Sequence, residues 1–406
     1  QAVPALRRDS NDAYAAAFLE AFSEAVRSRL RCAGPVGSML SGGMDSGSVV
    51  AVATRLLQAE GRGPLQTFSA VGPDPQACKE TLAIHHSQSM PGLAPQSVNH
   101  AELGPWIDDL QRLVEEESEP FDGHMTLPRA AYLAAHRAGL RVVLDGVAGD
   151  VTLGAGTLVP RLLRQGRWRQ VWRELQGERR FWGPYLSIPR QLLSGLRSAL
   201  APDWARRARR HAQKLKRRLK PADGSLINPA FAKRINLAAR HAAFMDLSRP
   251  GWQEPARERV GAITHIYLTV GRERYDRVSA ALAIEPRDPF MDLRVINFCL
   301  SLPASQLQFD GWPKMILRRA MAGLLPDSVR WRTGKEHLGW AFTSTLLQAR
   351  AESFRQLTQN PALLRPLVSS QGLQQLAHGL TENEVCVSLY HLELWLHRQP
   401  AHKYPK

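Results

Sequence analysis

The chain has 406 residues, 44% of them hydrophobic, and carries 53 Lys+Arg against 37 Asp+Glu for a net charge of +16. That length exceeds the usual single core and that apolar fraction excludes a disordered tail, so two lobes or one large α/β domain with a helical extension are expected. The basic balance favours acidic partners such as nucleotides, nucleic acid or an anionic surface, while charge breaks every apolar run short of a membrane span and no signal peptide opens the sequence.

Residues 10–30, "SNDAYAAAFLEAFSEAVRSRL", place Phe18, Phe22, Val26 and Leu30 four apart behind a Ser/Asn/Asp start signal, which predicts an amphipathic helix. "VGSML" at 36–40 reads as a short buried strand, the loop "SGGMDS" at 41–46 follows, and "SVVAVATRLL" reads as a helix. "LQTFSAV" at 65–71 is a second strand by its aromatic and β-branched content. "TLPRAAYLAAHRAG" at 126–139 is a helix ending at Gly139, and "LRVVLDG" at 140–146 is a third strand entering a turn. Strands separated by helices predict a doubly wound parallel sheet with ligands beyond its carboxyl ends, where both glycine-containing turns, 41–46 and 145–150, fall. From 158 to 280 the sequence is rich in Arg, Leu and Trp at helical spacing, with no convincing strand. Within it, "RRARRHAQKLKRRLK" at 206–220 reads equally as a solvated face or as a site for an acidic ligand. The C-terminal part, 281–406, reads as helical. The expected units are therefore a nucleotide-binding core at 10–155, an Arg-rich helical segment at 156–280 and a helical part at 281–406.

Four scattered cysteines, Cys32, Cys78, Cys299 and Cys386, form no CxxC pair, which argues against a zinc site or disulfide framework and for a reducing cytoplasm. His85 and His86 are adjacent and point apart on a helix, unlike a metal pair. His337 stands near Lys335 and reads as a surface histidine; the tryptophans read as packing and cleft-wall residues.

The loop Ser41, Gly42, Gly43, Met44, Asp45, Ser46 has the makings of a phosphate cradle. Glycines let backbone N–H groups approach an anion, the following helix presents its positive end, and two hydroxyls add donors. It is not a Walker A loop, because GxxxxGK[ST] is absent. Asp45 would repel a bare polyphosphate, so a Mg²⁺ bridging carboxylate and phosphate oxygens completes the site. Taken alone, the loop reads equally as an ordinary glycine turn whose aspartate caps a helix.

Five later segments remove that balance. "TFSAV" at 67–71, "DGVAGD" at 145–150, "EPRDPFMD" at 285–292, "KMILR" at 314–318 and "LPDSVRWRTGK" at 325–335 follow "LSGGMDS" in order over roughly 300 residues. In this the chain resembles the synthetase domain of the asparagine synthetase family, a group of N-type ATP pyrophosphatases. The resemblance implies the ATP pyrophosphatase fold with a large helical extension, and ATP with Mg²⁺ as cofactors. It implies that Asp45 and Asp150 hold the metal on the pyrophosphate and that the loop from Ser41 to Ser46 cradles it. Leu40, Ser69 and Gly146, with Asp145 beside them, would line the nucleotide site. Lys335, together with Lys314 and Arg318, would neutralise the departing pyrophosphate, although a solvated helix face explains Lys314 and Arg318 equally well. Relatives carry a glutaminase-like domain ahead of this unit; the sequence as given opens "QAVPALRRD" without one.

The family splits by carboxylate and amine. Where its members carry an acid or, in β-lactam-forming relatives, a tyrosine, this chain has Val147, and Val151 replaces the glutamate after Asp150. Glu285 aligns with the other member of the β-lactam pair and would accept a proton from the amine; an ion pair with Arg287 is the competing reading. The altered second turn, the Arg-rich segment and "WRTGKEHLG" resemble the lasso peptide cyclases, which adenylate an Asp or Glu side chain and close a macrolactam on the N-terminal amine. That resemblance implies a processed precursor peptide as substrate, and a leader peptidase and a leader-binding protein as partners. The alternatives are an asparagine synthetase or related glutamine-dependent amidotransferase and, against the absence of any helix-turn-helix, zinc finger or RNP strand, a non-catalytic nucleic-acid-binding protein.

Overall fold

The structure, a computed structural model, describes residues 6–117, 119–120, 122, 125–202, 204, 208, 212, 226–246, 255–334, 337–359, 361–378 and 384–398. Helix α1, Asn11–Arg29, starts where its sequence says, with the Ser10 hydroxyl accepting the Ala13 N–H at 3.1 Å as an N-cap. Its apolar face, Phe18, Phe22 and Val26, is fully buried, and the two phenyl rings stack with centroids 5.6 Å apart. Five strands follow: β1 (Val36–Met39), β2 (Leu65–Val71), β3 (Leu93–Asn99), β4 (Val142–Leu144) and β5 (Glu285–Arg287). They form one sheet in the order β3-β2-β1-β4-β5, with every neighbouring pair parallel. The expected α/β doubly wound sheet is therefore present, widened by β3 and β5, which lie outside the three expected strands.

Helices α2 (Met44–Ala59), α3 (Lys79–Gln88), α4 (Ile107–Glu115) and α5 (Thr126–Arg137) supply most of the crossovers. Both sheet faces are covered, as a parallel sheet requires. Alternation along β4 shows this: Val142 and Leu144 belong to the core beneath α1 and α2, and Val143 to the core beneath α5. The chain builds outward from β1 to β3 and then returns to place β4 on the other side of β1. Ligand crevices open at such a reversal, beyond the carboxyl ends of the two adjacent strands.

After β4 come α6 (Gly149–Thr152), α7 (Leu158–Arg164), α8 (Trp168–Trp182) and α9 (Ile188–Leu200). The last three close on a core of their own that includes Leu162, Leu163, Val171 and Leu175. Among the described residues of 158–280 there is no strand, as the sequence predicts; the basic run 206–220 lies outside the described residues except for 208 and 212. The helix Ile266–Ala280 is tied back to the core by fully buried Asp122, which accepts from Arg274 and Arg277 at 2.8 Å each. A small hairpin, β6 (Gln308–Phe309) and β7 (Trp312–Pro313), precedes the helix Met315–Ala320. Cys32, Cys78 and Cys299 are free thiols. No described helix is long and apolar enough to cross a membrane.

Candidate active site

The two glycine turns meet at the reversal point. Leu40 continues β1, its N–H donating to Phe68 O at 2.9 Å, and the chain then bends through Gly42, whose φ of 64° is a left-handed conformation. A side chain at Gly42 would also strike the α3 backbone, 2.6 Å from the Ile84 nitrogen. Ser41 and Ser46 close the loop on itself, with Ser41 N–H donating to Ser46 Oγ at 3.1 Å and the two hydroxyls 2.9 Å apart. α2 then begins at Met44 and directs its unsatisfied N–H groups toward the loop, the arrangement that favours an anion.

The second turn sits directly against the first. A Cβ on Gly146 would lie 2.5 Å from the Ser46 nitrogen, and one on Gly149 would lie 2.5 Å from Asp45 Cγ, so only glycine permits this approach at either position. Between them Ala148 takes φ 68°, a strained choice for a residue with a side chain and typical of a turn the surrounding structure over-determines. The consequence is that Asp45 and Asp150, 105 positions apart in the sequence, converge on one cation. Lys314 Nζ is 2.5 Å from Asp45 Oδ2 and 2.6 Å from Asp150 Oδ1. Burial works against the Lys314 charge, but Asp45 and then Asp150 outweigh it and hold the ammonium above its ordinary range.

A cavity of about 560 Å³ opens over this cluster. Leu40, Ser41, Gly43, Asp45 and Ser46 line it from the first turn, and Asp145, Gly146, Val147 and Asp150 from the second. Lys314 and Arg318 line it as well. The sequence-predicted set is thus largely brought together, with four exceptions. Gly42 packs against α3 instead of the cavity. Ser69 is buried with its hydroxyl donating to Leu40 O at 2.8 Å; strand alternation leaves its neighbours Phe68 and Ala70 on the cavity wall. Lys335 lies outside the described residues.

Glu285 is the fourth exception and corrects the expected amine-activating role. β4 pairs with β5 so that Val142 faces Glu285 and Leu144 faces Arg287. Glu285 is therefore at the amino end of its strand, two residues from the end that carries the site. Its side chain is 61% exposed and pairs with Arg287 at 2.8 Å, whose guanidinium lowers the carboxyl's pKa. The competing ion-pair reading describes it.

Arg318, which lines the cavity beside Asp45, is also held by the backbone around it. It is buried, with Nε donating to Pro313 O at 2.9 Å and a second nitrogen donating to Arg330 O. Its guanidinium lies among Trp312, Trp331 and Phe181, 4.8 to 5.8 Å from their ring centroids. Burial lowers its pKa to about 10. Its contacts with the Pro313 and Arg330 carbonyls make it a brace for the backbone around Lys314, at the edge of the cavity.

Residues not singled out from the sequence complete the walls: Tyr132 from α5, Tyr275 from the helix Ile266–Ala280, and Phe181 from the end of α8. Their spacing is also that of ordinary core positions, so nothing in the sequence marked them; Trp182 beside Phe181 is a cleft-wall tryptophan as expected, and His337 reaches the rim. Asp145 is buried with its Oδ2 3.5 Å from the Tyr132 hydroxyl. Its Oδ1 accepts the Val147 N–H at 3.1 Å, and burial first, then the Asp288 charge, push its pKa up from 3.8 to about 7. The native chain thus holds a proton that the unfolded chain releases near 3.8, so stability falls as pH rises from about 4 to about 7. Asp145→Asn, which cannot ionise, is expected to flatten that fall. Urea denaturation of both proteins at about pH 5 and about pH 8 measures it, and an unchanged slope would contradict the assignment.

Among the described residues no three His, Cys, Asp or Glu side chains gather as a self-sufficient metal site. Asp45 and Asp150 nonetheless suit Mg²⁺, which binds through one or two carboxylates together with substrate phosphate oxygens. The glycine approach that brings Asp45 against Gly149 provides the cradle.

The chain is similar to "Asparagine synthetase [glutamine-hydrolyzing] 3" of Bacillus subtilis, 24% identical over 341 residues that cover 80% of the chain and 48% of the relative. It is also similar to "Probable asparagine synthetase [glutamine-hydrolyzing]" of Acanthamoeba polyphaga mimivirus, 25% identical over 36% of the chain and 26% of the relative. A third match, "Asparagine synthetase [glutamine-hydrolyzing]" of Gallus gallus, is 36% identical over 20% of the chain and 15% of the relative. The chain spans about half the length of the first of these and less of the other two. The family profile described as asparagine synthase matches residues 17–397, which takes in both turns, Lys314 and the aromatic walls, and the chain belongs to the asparagine synthase family.

Proposed function

We propose that the protein is an ATP-dependent amide-bond-forming synthetase that adenylates a carboxylate, releases pyrophosphate and passes the acyl group to an amine. The convergence of Asp45 and Asp150 beside the glycine loop is the observation that carries this reading. A carboxylate oxygen attacks the α-phosphorus of ATP, the α–β P–O bond breaks, and pyrophosphate leaves with its electrons. The Ser41–Ser46 hydroxyls and the α2 amino end bind the phosphates. Mg²⁺, when bound at Asp45 and Asp150, supplies charge neutralisation of the leaving group. The Tyr132, Tyr275 and Phe181 walls limit water at the mixed anhydride. The amine nitrogen then attacks the acyl carbon, AMP leaves, and the amine proton is lost.

The amide is, on our reading, a macrolactam between an Asp or Glu side chain and the N-terminal amine of a processed lasso precursor, made in the cytoplasm alongside a leader peptidase and a leader-binding protein. Val147 on the cavity wall supports this, since it removes an acid suited to ammonia. Support also comes from Phe181 and Trp182, by which the helical extension contributes aromatic surface to the cavity wall. A second reading, formation of asparagine, is favoured by the names of the relatives. One experiment separates them. The protein is incubated with Mg-ATP and either a leaderless candidate core peptide or free aspartate with ammonia or glutamine, following mass and pyrophosphate. Loss of one water from the peptide, with AMP and pyrophosphate released, is expected; product from free aspartate alone would favour the second reading, and no pyrophosphate from any carboxylate would contradict both.

A further inference from the structure

Lys314 occupies the position between the two acidic turns where a cation meets both Asp45 and Asp150. Its ammonium touches both carboxylates, at 2.5 and 2.6 Å, and its side chain is 9% exposed. The backbone enforces this placement. Lys314 has φ 57°, at the junction between β7 and the helix Met315–Ala320, so its side chain leaves the chain in a direction an ordinary helical residue does not take. Arg318 fixes both sides of the junction, its Nε on Pro313 O and its N–H on Lys314 O at 3.0 Å. The three aromatic rings around the guanidinium hold that brace in turn.

A magnesium ion binds carboxylate oxygens at about 2.0–2.1 Å and keeps an octahedral shell. A dication shared by the two carboxylates would sit beside the ammonium that already bridges them, and repulsion between the two cations disfavours holding both at once. Two carboxylates paired with one ammonium, with the Arg318 guanidinium also acting on Asp45, offer a weak attraction for a free dication that must shed water. The balance changes when the dication arrives on a polyphosphate, which adds its own oxygens to the shell and offers the displaced ammonium a new anion.

We propose that Lys314 is a resident cation that closes the Asp45–Asp150 pair to free divalent metal, so that metal enters only with the nucleotide and frees Lys314 to face phosphate. This rests on the assignment of the two aspartates as metal ligands. Its test reads binding of metal alone and is independent of whether any carboxylate supports turnover.

Free Mn²⁺ is counted by electron paramagnetic resonance during titration into nucleotide-free protein. Wild type is expected to bind Mn²⁺ weakly, and Lys314→Met and Lys314→Gln to gain one Mn²⁺ site tighter by about tenfold or more, as removal of a contacting positive charge implies. Adding Asp45→Asn to Lys314→Met should remove that site. Affinities within about twofold between wild type and both variants would overturn the proposal. A wild-type arm serves if the variants do not fold. Mn²⁺ binding that is sensitive to Asp45→Asn and needs a non-hydrolysable ATP analogue supports the proposal; the same binding without nucleotide overturns it.

Discussion

Asp45→Asn is expected to lower pyrophosphate release by about a thousandfold or more, the loss that follows when several kcal/mol of charge stabilisation leaves the transition state. Asparagine keeps the shape of the side chain and therefore the fit against Gly149, where a Cβ would lie 2.5 Å from Asp45 Cγ. What it removes is the charge that makes a phosphate-binding loop tolerant of metal-bound polyphosphate. The fold should survive, because Lys314 keeps Asp150 at 2.6 Å. Breaking one arm of this mostly buried pair should still cost about 1–3 kcal/mol of stability. Asp150→Asn is expected to match the loss of activity at a smaller cost in stability, since its side chain is 58% exposed and water screens it. Pyrophosphate release and urea denaturation on the same preparations check both effects. Near-normal turnover by either variant would remove the metal assignment and the reaction built on it.

The site was legible in the sequence wherever its chemistry required a rare combination over a short span. "SGGMDS" and "DGVAGD" each pair glycine with an acid at the end of an apolar strand, and the structure places both turns where doubly wound sheets bind ligands. Strands β1, β2 and β4 were legible because each is a short run with enough apolar, aromatic or β-branched residues for burial in a parallel sheet. β3 was not, because "LAPQSVN" is an edge strand, exposed along its middle and interrupted by Pro95, which an edge tolerates. β5 was not, because three residues, Glu285–Arg287, are too few to carry a period, and the same letters read as a catalytic motif. That confusion misplaced Glu285: a match in order along the chain does not say which end of a strand a side chain occupies. Lys314 shows a further limit. Its basic charge was visible, but the left-handed backbone that turns it onto two distant aspartates depends on Arg318, Trp312, Trp331 and Phe181, contacts that join separate parts of the chain.

Gly177 carries the second large expectation, although it stands in the middle of α8, where glycine costs a helix about 1 kcal/mol relative to alanine. The β6–β7 turn explains it. There α8 crosses the turn backbone to backbone, and a methyl group at 177 would be pressed onto the Asp310 carbonyl and stand 2.6 Å from the Gly311 nitrogen. One turn earlier on the same helix, buried Glu174 accepts the Asp310 N–H at 3.0 Å and the Gly311 N–H at 2.8 Å. Gly311 itself has φ 71°, so neither side of the contact accepts a side chain. Gly177→Ala must therefore move main chain. The overpacking cost, set against the recovered helix propensity, leaves an expected net loss of about 2 kcal/mol. Gly271→Ala is the control. It lies within the helix Ile266–Ala280 with no atom within 4 Å of an added Cβ, and is expected to stabilise by about 0.5–1 kcal/mol. Urea denaturation of the two variants decides between a crowding effect and a general response to alanine. The displacement also reaches the site, because the crowded turn leads through Trp312 and Pro313 into Lys314, while α8 ends in Phe181 and Trp182 on the cavity wall. Gly177→Ala should thus slow pyrophosphate release while Gly271→Ala leaves it unchanged. If Gly177→Ala lost stability and kept full activity, the helical extension would be a support for the fold with no part in setting the geometry of the cavity.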